Sequence, residues 1–221
     1  MNGHVEYESC AAAWSDAELT IGNRRIERRW LIRGGRLYAA SLKDPASGRE
    51  WLARPSLRPA LCPSTAFGFA ADEPLSLRIA ASAGSKSPVS AGSLDVTATA
   101  TGPAGVLKMS FRIFPDAPAV TSRLSVEPRE GFRPPPSADE ALARDERPQM
   151  FFPAADLADC FELAPPHLRV RQVILNARSD VHGELVRELE WLLHPNECMR
   201  SLEGNLFIVE DVLSGDSLVF L

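Results

Sequence analysis

Apolar residues in this chain recur mostly at intervals of two, which predicts half-buried β-strands. The clearest run is Leu107, Met109, Phe111 and Ile113, alternating without exception with Lys108, Ser110 and Arg112. That is the pattern of an antiparallel strand with one wet face. Leu94, Val96, Ala98 and Ala100 alternate in the same way with Asp95, Thr97 and Thr99, and Gly102-Pro103-Ala104-Gly105 turns the chain between the two runs. After Pro115-Asp116-Ala117-Pro118 the rhythm returns at Val120, Leu124 and Val126.

Upstream, Leu19 and Ile21 are followed by Ile26, Trp30 and Ile32, with Gly22-Asn23 between them, which predicts a hairpin. A strand over residues 37–42 and turn formers over residues 43–48 precede Glu50-Trp51-Leu52. Pro55, Pro59, Pro63 and Pro74 each remove a ladder donor, so residues 54–74 read as a surface loop with one short strand at residues 67–69. Leu75, Leu77 and Ile79 alternate again before a Gly/Ser-rich connection at residues 83–93. Residues 131–149 are charged and proline-rich and read as a solvated insertion, in which Ser137 and Glu140 form a capping box for a short helix.

Strand character resumes at residues 161–163 and 168–175. Residues 184–193 fit a helical stripe through Leu185, Leu189, Leu192 and Leu193, and fit alternation through Leu185, Leu189, Trp191 and Leu193. Strand neighbours on both sides, and the stop at His194-Pro195, favour alternation. Residues 204–221 read strand, turn, strand, and the apolar end Leu218-Val219-Phe220-Leu221 leads us to expect a module boundary there. The expected fold class is all-β: a single large antiparallel β-sandwich over residues 1–221 with at most one short helix, in the insertion.

Composition adds limits. The 221 residues suffice for one large sandwich, and 18 prolines favour loops over long helices. A net charge of −5 supplies no basic field for a phosphate backbone, so no nucleic-acid partner is expected. No window approaches the roughly 20 apolar residues that span a bilayer, and residues 1–14 lack a signal-peptide pattern, so no membrane partner is expected and the cytoplasm is the expected location. Cys10, Cys62, Cys160 and Cys198 lie far apart with no C-x-x-C pair and read as reduced thiols, and no metal or other cofactor is expected.

Glycosidic acid–base chemistry needs two carboxylates converging on one bond, but Glu210 and Asp211 are adjacent on a strand and therefore point to opposite faces. Asp139, Glu140, Asp145 and Glu146 sit in the charged insertion, where solvent keeps carboxyl groups ordinary. His4, His167, His182 and His194 are isolated, and no G-x-S-x-G elbow, Walker loop or G-x-G-x-x-G occurs. No catalytic residue is expected. The tryptophans Trp14, Trp30, Trp51 and Trp191 remain; such rings stack on sugars, although a core role is commoner.

Three ordered stretches resemble the N-terminal domain of family 36 glycoside hydrolases, the α-galactosidases. They are ELTIGNRRIERRW continuing to SLKDPASGREW (residues 18–30 and 41–51), FPDAPAVTSRL (residues 114–124), and residues 176–195 with 203–221. The resemblance implies a galactose mutarotase-like β-supersandwich that precedes a (β/α)₈ barrel carrying both catalytic aspartates. It implies as partners that C-terminal catalytic barrel, an α-galactoside or related carbohydrate, and in some members a homo-oligomer. Loops of this domain border the sugar site in some members, which makes Trp51 a candidate to stack on a sugar and Arg54 a candidate to hydrogen-bond its hydroxyls. The alternative is a free-standing carbohydrate-binding sandwich. An epimerase-like enzyme, a third reading, would need a histidine and a carboxylate converging, which the spacing does not offer.

Overall fold

The computed structural model describes residues 2–59, 73–84, 92–130, 162–164, 167–175, 186–193 and 206–220. The expected strand at residues 67–69, the capping-box helix at Ser137 and Glu140, and Cys62, Cys160, Cys198, His182 and His194 lie outside them. The fold is all-β and antiparallel, with no helix among the described residues. The chain divides into two compact units, Met1–Glu162 and Leu163–Leu221.

In the first unit, six strands follow one another in chain order across one sheet: β1 (Gly3–Tyr7), β2 (Cys10–Trp14), β3 (Glu18–Gly22), β4 (Glu27–Arg33), β5 (Arg36–Asp44) and β6 (Arg49–Glu50). The short β7 (Leu52–Arg54) follows. A second sheet, ordered β11-β10-β9-β8, holds β8 (Ser76–Ala83), β9 (Leu94–Gly102), β10 (Gly105–Ile113) and β11 (Val120–Pro128). Alternation decides the faces. Leu94, Val96, Ala98 and Ala100 of β9 and Leu107, Met109, Phe111 and Ile113 of β10 are all buried, while the residues between them look outward.

These two faces close on one another as a sandwich. The Trp30 and Phe111 rings meet with centroids 4.7 Å apart, and the Cys10 thiol donates to the Ile113 carbonyl across the gap at 3.7 Å. The side chain of Asn23, in the β3–β4 turn, donates to the carbonyls of Phe114 and Ala117 at 2.8 Å each, while its own oxygen accepts from the Arg25 and Ile26 amides. One side chain thus shapes its own turn and ties it to the turn after β10.

The six-stranded sheet begins two strands earlier than the alternation predicts. β2 is Cys-Ala-Ala-Ala-Trp, and alanine carries little strand signal of its own. Packing places it: Ala12 is buried, and Gly3, opposite Trp14 in the β1–β2 register, leaves room for that indole, since a Cβ there would lie 2.1 Å from the ring.

After the two-residue β12 (Glu162–Leu163), the second unit is a four-stranded sheet ordered β14-β13-β15-β16, with β13 (Leu168–Leu175), β14 (Val186–Leu193), β15 (Leu206–Asp211) and β16 (Ser217–Phe220). Leu168, Val170 and Val209 are buried, with Leu163, Trp191 and Leu218 packed against them. β14 is the strand that alternation predicts: Leu189 and Trp191 are partly buried, whereas Leu192, which a helical stripe would bury, is 54% exposed.

Candidate functional site

The two residues nominated for sugar contact lie at the end of the six-stranded sheet, where β5 turns into β6 and β7. Asp44 begins that turn. Its carboxylate accepts from the Ala46 amide at 2.9 Å and the Ser47 hydroxyl at 2.7 Å, and its carbonyl accepts from the Gly48 amide. The Ser47 hydrogen bond, reinforced by the Ala46 amide, holds the Asp44 carboxyl below the ordinary aspartate range. Glu50 accepts from the backbone amides of Leu42 and Leu52 at 2.9 Å each and from the Ser41 hydroxyl. Both carboxylates are therefore engaged in closing the corner.

Trp51 lies inside this corner. It is 4% exposed, its amide donates to the Leu42 carbonyl, and the Arg49 guanidinium sits 4.5 Å from its ring centroid. A ring enclosed in this way is a core element and presents no open face to a sugar. Arg54, three residues on, is exposed at the end of β7. The structure thus places one nominated residue in the interior and the other at the surface.

The pairing of Arg49 with Trp51 is not isolated. Arg28 lies 4.7 Å from the Trp30 ring centroid, and both pairs are two residues apart, the spacing that puts side chains on one face of a strand. The R-x-W pattern was the sequence signal for both. It marks tryptophans capped by a cation, which differ from open platforms.

The remaining carboxylates follow the same logic. Glu210 and Asp211 point to opposite faces. Glu210 Oε2 lies 3.2 Å from Arg169 Nε, an ion pair whose N–H is not aligned for a hydrogen bond. Asp211 is buried and accepts from the Leu213 amide and the Ser214 hydroxyl, shaping the turn before β16. Glu190 joins Arg169 and Arg171 at 3.5 and 3.1 Å, so an acid-base ladder crosses three strands of the second unit. In the first unit Asp95 pairs with Arg112, and Glu127 with Lys108.

His4 contacts Glu6 at 3.0 Å on the exposed face of β1. Among the described residues no group of three or more histidine, cysteine, aspartate or glutamate side chains could hold a metal ion. No helix among them is long and apolar enough to cross a membrane. Burial, more than the nearby Glu8 and Asp116 carboxylates, pushes the Cys10 thiol above its ordinary range and keeps it protonated. No protein-family model, no curated protein and no solved structure matches the chain.

Proposed function

We propose that the chain is a non-catalytic β-sandwich module of an α-galactosidase-like glycoside hydrolase, serving assembly with a catalytic barrel in the cytoplasm. The observation that carries this reading is Asn23. It belongs to the first stretch of family resemblance, and its side chain is bonded to Phe114 and Ala117 of the second, so two stretches some ninety residues apart in sequence form one joint. The engagement of Glu50, Asp44, Asp95, Glu210 and Asp211 in structural contacts supports a scaffold role in the same direction.

Substrate class enters through the resemblance alone, with an α-galactoside bound mainly by the barrel and Arg54 at the margin. The purified chain incubated with an aryl α-galactoside is expected to release no phenol, and measurable turnover would overturn the reading. Calorimetric titration with galactose and raffinose distinguishes the scaffold from a free-standing carbohydrate-binding module. The scaffold gives no heat, and heat abolished by Arg54→Ala would favour the binding module.

A further inference from the structure

The outward face of the β8–β11 sheet carries a charge opposite in sign to that of the chain as a whole. In register across the four strands, Arg78, Thr99, Lys108 and Ser125 form one row, and Ala80, Thr97, Ser110 and Arg123 form the next. The row beyond holds Asp95 and Arg112, which pair with each other, and the row at the other end holds Glu127, which pairs with Lys108. Two acids against four cations leave an excess of two positive charges on this face of a chain whose net charge is −5. That excess is Arg78 and Arg123, both exposed and neither in an ion pair among the described residues.

Sheet geometry sets their spacing. Arg78 and Lys108 stand two strands apart in one row, roughly 10 Å between backbones. Arg123 lies diagonally beside Lys108, at roughly 7–8 Å. The side chains between them are hydroxyls, Thr97, Thr99, Ser110 and Ser125. Guanidinium groups bind carboxylates bidentately, and hydroxyls exchange hydrogen bonds with other hydroxyls. A surface that carries both groups side by side offers partners to a polymer that carries carboxylates and hydroxyls.

We propose that this face binds an acidic polysaccharide, with Arg78 and Arg123 taking uronate carboxylates and the threonine and serine hydroxyls of the two rows taking sugar hydroxyls. A nucleic acid fits less well. The face carries no aromatic side chain for base stacking, and two surplus cations neutralise few phosphates. Such binding needs no galactosidase partner.

The test is affinity electrophoresis of the chain through gels containing polygalacturonate, dextran or duplex DNA, at several salt concentrations. Polygalacturonate is expected to retard the chain, less so as salt rises, and dextran is expected not to. The double variant Arg78→Ser/Arg123→Ser should weaken binding about tenfold or more, since charge-assisted bonds are the strong ones. Thr97→Val/Thr99→Val, which keeps every charge, should weaken it measurably, whereas Arg29→Ser on the other sheet should bind as the parent does. Absence of retardation by polygalacturonate, full binding by the double arginine variant, an equal loss in Arg29→Ser, or equal retardation by DNA would each overturn the proposal.

Discussion

Trp30 and Phe111 meet at the centre of the first unit, each essentially without solvent contact. Truncation of such a ring loses its transfer free energy and leaves a cavity that neighbours fill only in part. Phe111→Ala is therefore expected to cost about 3–5 kcal/mol in denaturant unfolding, with the slope unchanged if the unfolded state is unaltered. Asp95 gives a smaller, pH-dependent effect. The Arg112 guanidinium, with help from the Ser93 hydroxyl, holds its carboxyl below the ordinary range. Its folded pKa is thus below its unfolded one, so the stabilisation is present above about pH 4 and fades as pH falls through the folded value. Both partners are partly exposed, so screening keeps the effect below about 1 kcal/mol. Acid titration of stability in Asp95→Asn should lose that increment, and a parental acid limb would contradict the assignment. At this scale the alternation around Phe111 was plain in the sequence. The burial of Trp51 was not, because proximity to prolines says nothing about which side of a strand faces the core.

Among the elements, the β4–β5 hairpin turns on Gly34 and Gly35, both at positive φ, 55° and 72°, which is the two-residue turn that matches strand twist. The two glycines are not equivalent. A Cβ on Gly34 would meet nothing within 4 Å, whereas one on Gly35 would lie 1.9 Å from the Leu75 carbonyl oxygen. Leu75 is held there by its amide, which donates to the Gly34 carbonyl at 2.9 Å. Gly34→Asn should therefore change the thermal midpoint little, since asparagine tolerates the left-handed region. Gly35→Asn should lower it by several degrees or more, a loss of over about 1 kcal/mol. Equal effects at the two positions would contradict the packing. Strands such as β9 and β10 were legible because they have one dry and one wet face. The β1–β2 hairpin was not, since its buried positions in β2 are filled by alanine and cysteine, and the fit of the Trp14 indole over Gly3 appears only once the two strands are paired. In β14 two neighbouring residues separate the two periods: Trp191 is turned inward and Leu192 outward, the reverse of what a helical stripe would require.

At the scale of the molecule, an all-β fold and the pattern of its faces could be read from alternation, and the division into two compact units could not, because both units use the same strand grammar. The candidate site was the least legible part. Carboxylates that look unemployed in sequence are acceptors for turns and ion pairs, and these contacts become visible only once distant residues meet, as Asn23 does with Phe114. Net charge also concealed structure, since an acidic total of −5 contains a basic sheet face. The central proposal is that the chain is a module that assembles with a catalytic barrel. Its most direct test is to sequence the transcript that encodes the chain through and past the codon for Leu221. The account predicts an open frame that continues into a (β/α)₈ barrel with two carboxylates at the carboxyl ends of its strands. A stop codon there, with no barrel protein co-purifying with the chain, would contradict it.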